Sequence, residues 1–242
     1  MVKAQILSLR VGKPRDLGVA GATDPMQRPW RSGIYKDPVS GVIWLGKTNL
    51  EGDGQADLKR HGGPDKAVCV YPSEHYPAWR EELGLPDFPF GAFGENFTLE
   101  GLVESDVSIG DIFRVGTGVI QVTQPRQPCW KLSRRWQIRD LALQVQNTGR
   151  TGWYFRVLEE GKVDPDSELE LLEREWPEWT VERANEVMHR ARDDRESARR
   201  LAECPPLSAS WKKTLSLRAE TGENPDPRRR LIGPNEDGRD DA

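Results

Sequence analysis

A mainly β chain closing into a barrel, with a small helical bundle behind it, is the fold this sequence predicts. Short β-branched and aromatic runs separated by Gly and Pro turns dominate residues 1–176, and only two helical patterns interrupt them. After Trp176-Pro177 the pattern changes to three short helices. In order, Gln5–Leu9 alternates as a strand, and Val42–Leu45 and Ala67–Tyr71 read as buried strands. Ser73 can cap a helix with Tyr76, Trp79 and Leu83 on one face, stopped by Gly84, with Pro77 in its tolerant first turn. Phe97–Leu99 reads as a further strand. Ile112–Val115 and Val119–Thr123 flank Gly116-Thr117-Gly118 as a hairpin. Ile138, Leu141, Ala142 and Val145 mark a second helix ended by Gly149. Thr180, Asp194 and Ser208 each sit where an N-cap is needed, giving a three-helix appendage over 177–219. Residues 220–242 are charged and rich in Gly and Pro, and read as a disordered tail.

The chain has 242 residues, 36% hydrophobic and 31% charged, with 18 prolines, enough for one large domain with an appendage. Its net charge of −4 argues against binding a nucleic-acid polymer. Neither a secretory pattern at Met1–Arg15 nor an apolar run of membrane-spanning length is present, so a cytoplasmic protein with no membrane partner is expected. The three cysteines, at 69, 129 and 204, lack metal-finger spacing and suit a reducing compartment, where the sequon at Asn96 has no meaning.

Chemistry concentrates at Thr123-Gln-Pro-Arg-Gln-Pro-Cys129-Trp-Lys131. Arg126 and Lys131 favour the Cys129 thiolate, the form that attacks electrophiles or ligates soft metals, and Pro125 and Pro128 stiffen its loop. Taken alone, a cysteine in a basic loop is more often an ordinary residue. Lys59-Arg60-His61-Gly62-Gly63-Pro-Asp-Lys66 offers cations and close backbone approach for an anion, although a plain basic turn has the same composition. Phe93-Gly94-Glu95-Asn96 could bind a polar heterocycle or simply turn into the next strand, and Lys36 is equally open. Glu51–Asp57 lacks the final glutamate of a calcium loop. No HExxH, CxxC, GxSxG or GxGxxG occurs. His75 reads as a surface residue, His189 as structural or solvated, Cys69 as core and Cys204 as a helix end.

The order of these pieces carries more than any one of them. Lys36-Asp-Pro-Val, Glu51 to Asp57, His61-Gly-Gly-Pro-Asp-Lys66, Tyr71-Pro-Ser-Glu-His-Tyr76, Phe93-Gly-Glu-Asn96, Gly110-Asp111, Gln124-Pro-Arg-Gln-Pro-Cys129 and Asn147-Thr-Gly149 follow in a succession that resembles the MOSC domain family. Within it the chain resembles the bacterial YiiM-type branch, which carries a three-helix appendage; the resemblance spans roughly residues 3–218.

That resemblance implies a barrel-like MOSC fold binding a molybdenum cofactor, with Cys129 as thiolate ligand to molybdenum and Arg126 stabilising negative charge beside it. Lys59, Arg60, His61, Gly62 and Gly63 would hold the pterin or its phosphate, with Lys36 and Asn96 as lesser contacts. The implied reaction is reduction of N-hydroxylated compounds such as hydroxylaminopurine bases. A separate reductase would supply electrons, because no flavin, haem or iron–sulfur motif occurs. Two alternatives use the same residues: sulfur transfer through a persulfide on Cys129, and a non-enzymatic cofactor-binding module.

Overall fold

The computed structural model describes residues 3–236. In chain order its strands are β1 (Lys3–Val11), β2 (Arg15–Leu17), β3 (Trp30–Ser32), β4 (Asp37–Pro38), β5 (Ile43–Leu45), β6 (Val68–Pro72), β7 (Phe97–Glu100), β8 (Ile112–Val115), β9 (Gly118–Pro125), β10 (Trp153–Glu159), β11 (Gly161–Val163) and β12 (Glu168–Glu173). Its helices are α1 (Leu58–His61), α2 (Tyr76–Leu83), α3 (Trp130–Trp136), α4 (Leu141–Thr148), α5 (Val181–Asn185), α6 (Arg195–Ala202), α7 (Ala209–Thr221) and α8 (Arg228–Leu231).

Seven strands close into a barrel in the order β12-β8-β9-β10-β6-β7-β1, with β1 pairing back onto β12 and β4 added beside β1. Closure removes the free edges that an open sheet would expose. Every barrel pair is antiparallel except β6 with β7, where Val70, Tyr71 and Pro72 run alongside Phe97, Thr98 and Leu99. β6 is buried along its whole length, because the barrel interior covers one face and an aromatic cluster the other. This is why Val-Cys-Val-Tyr reads as a continuous apolar run rather than an alternating one. The aromatic cluster stacks Tyr71 on Phe93 at 3.9 Å and gathers Tyr76, Trp79 and Phe88 around them.

α2 starts at Tyr76 rather than directly after Ser73, with a 3₁₀ turn over Ser73–His75 before it. Pro77 has no N–H to give the Ser73 carbonyl, so an α-helical turn cannot begin there. His75, expected on a helix surface, is half-buried and bonded through Nε2 to Glu104 at 2.6 Å.

The three-helix appendage is capped as its sequence requires: Thr180 accepts from Arg183 N, Asp194 from Ser197 N and Ser208 from Trp211 N. A π-helical turn over Glu186–Arg190 extends α5. Val181, Val187, Leu201, Trp211 and Leu215 join the same hydrophobic cluster as Phe113, Ile120 and Trp153 of the barrel. Appendage and barrel therefore share one core. No helix among the described residues is long and apolar enough to cross a membrane.

The tail corrects its expectation. Residues 223–236 carry α8 and a 3₁₀ turn at Gly233–Asn235, with Leu231, Gly233 and Asn235 buried. Arg134 holds the segment by donating from Nε to Asn235 Oδ1 at 2.9 Å and from Nη2 to the Pro234 carbonyl at 3.1 Å. Asn235 donates in turn to the Trp130 carbonyl at 3.0 Å. Gly233, at φ +50°, lies so close to the Trp130 ring that a β-carbon would collide with it. Composition suggested disorder, yet a few specific polar anchors and one buried leucine order the segment. Residues 237–242 lie outside the described residues.

Candidate functional site

β9 delivers its last residue, Pro125, to the barrel rim, and the chain crosses Arg126–Pro128 to Cys129 at the start of α3. The backbone at Arg126 is pinned by its N–H to the Gly152 carbonyl at 3.0 Å, and the Gly152 N–H bonds Glu104 at 2.7 Å. Gly152 adopts φ +66° against the Val70 carbonyl, a contact with no room for a side chain. Cys129 is extended and makes no side-chain capping bond, so its thiol is directed elsewhere.

It meets His61. Cys129 Sγ lies 3.5 Å from His61 Nε2, across 68 residues of sequence. His61 ends the single turn α1, which Asp57 caps by accepting from the Lys59 and Arg60 N–H groups, both at 3.1 Å. Gly62 and Gly63 then release the chain, Gly63 at φ +88°. Burial alone would push the Cys129 thiol up. The His61 ring, the Lys131 backbone N–H and the Arg126 guanidinium outweigh it and bring the thiol down to about 6. Cys129 is partly exposed and is a thiolate at neutral pH.

Two cavities meet at this pair. A small one of about 90 Å³ is lined by Lys36, Cys69, Asn96, Arg126 and Tyr154 besides His61 and Cys129. A large one of about 680 Å³ opens outward, between Lys59, Arg60 and Trp130 on the barrel side and residues of the appendage and C-terminal segment. Arg126 is buried and gives Nη2 to the Phe93 carbonyl at 2.5 Å, while its Nη1 is buried without a partner. A buried guanidinium nitrogen with nothing to bond is an invitation to an anionic or carbonyl-bearing ligand.

The residues singled out in sequence thus come together, in unequal ways. Cys129, His61 and Arg126 face one another's space. Lys59 and Arg60 lie on the outer cavity. Lys36 and Asn96 reach the small cavity but are tied to a third group: Asp53 pairs with Lys36 and accepts from Asn96 Nδ2 at 3.0 Å. Asn96 also receives the Cys69 N–H at 3.0 Å and donates to the Arg10 carbonyl at 3.1 Å. These two brace the wall. Gly62 and Gly63 shape the turn after His61 and are not among the lining residues.

Several site residues escape motif reading. Tyr154 sits on β10, whose alternation of buried Trp153, Phe155 and Val157 is the signal that turns its ring the other way. Burial first, then the Cys69 thiol, hold the Tyr154 hydroxyl protonated well above its ordinary range. Arg230 donates to the Pro128 carbonyl and to Gln146 Oε1 at 2.5 Å, bringing a cation beside Cys129 from the tail. His189, read from sequence as structural or solvated, lines the large cavity.

Among the described residues no three His, Cys, Asp or Glu side chains converge as a metal cage. A metal held by Cys129 would take its other ligands from a cofactor. The soft thiolate, the orphaned Arg126 nitrogen and the basic turn before β6 fit such a group.

Comparison with known proteins agrees with this geometry. The MOSC domain model matches residues 57–170 and the YiiM-like, 3-alpha helix domain model matches 179–222. Protein YiiM of Escherichia coli (strain K12) is 45% identical over 84% of this chain and 91% of its own length. The crystal structure of YiiM from Geobacillus stearothermophilus superposes with a TM-score of 0.75 at 41% identity, covering 89% of this chain and 99% of that one. A protein of Gibberella moniliformis named "Reductase" is 38% identical over 73% of this chain, a span that makes up 31% of the fungal protein. With barrel, cysteine loop and helical appendage all matched, the chain belongs to the MOSC domain family, in the branch that carries a YiiM-like three-helix domain.

Proposed function

We propose that the protein is a molybdenum-cofactor-dependent reductase of N-hydroxylated compounds, hydroxylaminopurine-type bases among them. The observation that carries this reading is Cys129 Sγ at 3.5 Å from His61 Nε2, at the junction of a small polar cavity and a large open one. Family membership supports the cofactor class, and the fungal relative's name supports reduction.

Cys129 would be the thiolate ligand to the metal, and Arg126, whose buried Nη1 has no partner, would stabilise negative charge beside it. Lys59, Arg60 and His61 would hold the pterin or its phosphate, with Gly62-Gly63 setting the turn behind them and Lys36 and Asn96 keeping the inner wall in place through Asp53. The bound cofactor supplies two-electron redox chemistry. Overall the N–O bond of R–NHOH breaks, two electrons and two protons enter, and R–NH₂ and water leave. Tyr154, whose hydroxyl burial holds protonated, lines the small cavity with Cys129 and is a proton donor available there. The electrons come from a separate reductase, and the working compartment is the cytoplasm.

The test is molybdenum and pterin content of the full chain purified from a host that makes the cofactor, beside Cys129→Ala. Near-stoichiometric metal in the wild type, lost in the variant, is expected. Absence of metal and pterin from both would overturn the reading, and a persulfide on Cys129 in that protein would replace it with sulfur transfer.

A further inference from the structure

The large cavity is more basic than the protein that contains it. The chain carries a net charge of −4. Yet nine Lys or Arg side chains line this cavity against two carboxylates, Asp57 and Asp226. A cleft of one sign with low-dielectric walls concentrates the opposite charge within it. Besides Arg31 on β3 and Lys131 on α3, the cations come from two places. Lys59, Arg60 and Lys66 belong to the turn before β6, of which Lys59 and Arg60 are assigned above to the cofactor. Arg192, Arg218, Arg229 and Arg230 belong to the helical appendage and the C-terminal segment, which have no part in that assignment.

This second group is not equally available. Arg218 is buried and fully engaged, giving its nitrogens to Asn224 and to the carbonyls of Val187 and Met188. Arg230 leans on the Pro128 carbonyl and Gln146. Arg192 and Arg229 make no side-chain hydrogen bond or ion pair with any described residue. Close to Arg192 and Arg230, His189 stacks edge-on to Trp211 at 6.3 Å, and its Nε2 is buried with no partner. Burial first, then Arg230, Arg218, Arg192 and Arg190, push the His189 ring down to about 3, so it is neutral and cannot add to the repulsion. An unpaired Arg192 near an unbonded ring nitrogen, with Arg229 on the same cavity, calls for water or an anion.

We propose that this wall is a phosphate-binding site, with Arg192, Arg229 and Arg230 supplying the cations and His189 Nε2 a hydrogen bond, so that the cavity takes a phosphorylated, nucleotide-class ligand. A volume of about 680 Å³ is of the size that encloses such a molecule. The indoles of Trp30 and Trp130, 6.0 Å apart, add aromatic surface to the same cavity, although Arg134 lies over the Trp130 ring. The matched family segments end at residue 222, so Arg229 and Arg230 are contributed by chain beyond them. The inference extends the proposed reaction by naming its substrate class, and rests on that reading only for what happens at Cys129.

The experiment uses the full chain, metal-free and labelled at histidine; only three histidines are present, so the His189 ring is resolved by NMR. Adenosine 5′-monophosphate and inorganic phosphate are titrated in, with adenosine as the uncharged control. The His189 signals are expected to move saturably with the two phosphates and not with adenosine. Arg192→Gln combined with Arg229→Gln removes charge without removing a bond to the protein, and should weaken nucleotide binding by about tenfold or more at an unchanged melting temperature. An unmoved His189, or a double variant that binds as the wild type does, overturns the proposal. Repeating the titration on cofactor-loaded protein identifies the source of the phosphate. Continued nucleotide binding assigns the site to the substrate, whereas exclusion with His189 already shifted assigns it to the cofactor and overturns the substrate class. Molybdenum retained without nucleotide binding defeats this inference alone; nucleotide bound without molybdenum defeats only the function proposed above.

Discussion

Cys69 and Cys129 both line the small cavity, and the contrast between them separates the effect of burial from that of neighbours. Cys69 lies on β6, inside the wall, where burial pushes its thiol up to about 11 despite a favourable Arg126 and Lys36. Cys129 also feels burial and Arg126, but it faces His61 and the Lys131 N–H and ends at about 6. The two cysteines share a cation and a cavity. What differs is the partner: Cys129 faces the His61 ring at 3.5 Å, brought from a turn 68 residues away, where Cys69 has the Tyr154 hydroxyl. Cys69 keeps that neutral hydrogen-bonding partner and stays up at about 11, so it is the charge and hydrogen bond of His61 together that bring Cys129 down.

Alkylation of the native, metal-free protein with iodoacetamide at pH 7 should break or uphold this contrast most sharply. The thiolate fractions differ by about four orders of magnitude, and the weaker nucleophilicity of the more acidic thiol returns about two of them. Cys129 should therefore react at least about a hundredfold faster than Cys69, read by peptide mass spectrometry, with burial of Cys69 widening the gap. Equal rates would mean that His61 does not act on Cys129. Next in size, His61→Gln should raise the midpoint of Cys129 alkylation from about 6 by a unit or more, as loss of an opposite charge does. Cys69 should be unaffected. A midpoint that stayed near 6 would transfer the cause to the Lys131 N–H and Arg126.

The same two residues mark how far the sequence can be read. Cys69 is legible as core, because Val68 to Tyr71 is an apolar run of strand length. The barrel, the hairpin of β8 and β9 and the caps of the appendage are legible for the same reason: periodicity and capping are local. Cys129 is legible as a candidate from Arg126 and Lys131, yet the partner that sets its acidity is not local. His61 stands out in sequence only as one residue of a basic turn, and nothing in its spacing aims it at Cys129. The C-terminal segment shows the limit most clearly. Its composition matches a solvated tail, while its order depends on Arg134 meeting Asn235 a hundred residues on and on the Trp130 ring fitting Gly233. Long-range polar fits of this kind have no periodic signature.

Smaller effects refine the comparison. Arg126 lowers both thiols, so Arg126→Gln should raise the Cys129 midpoint by less than His61→Gln does, since Arg126 is the weakest of the named causes. It should also cost about 1–3 kcal/mol of stability through the unpaired Phe93 carbonyl, measured by urea denaturation. An Arg126 variant matching the His61 variant in midpoint would mean that shared charge, not the directed partner, separates the cysteines.

The smallest effect is on stability against pH. Cys129 is depressed in the folded chain, to about 6, and returns to an ordinary thiol on unfolding. Between about pH 6 and pH 8.5 the unfolded state binds the proton that the native state has lost, so this group makes stability rise with pH. Its contribution is complete above the unfolded value and disappears as pH falls through about 6. The slope has a ceiling of about 1.4 kcal/mol per pH unit, and partial exposure of Cys129 screens it below that. Cys129→Ser should flatten urea-denaturation stability across this window. Cys69→Ser should leave the slope between about pH 6 and about pH 7.5 in place, because folded Cys69 is raised to about 11 and an unfolded thiol, at about 8.5, is still mostly protonated there. A slope that survives Cys129→Ser would have to arise from another group titrating in the same window, and the alkylation midpoint would then be the only remaining measure of the Cys129 thiolate.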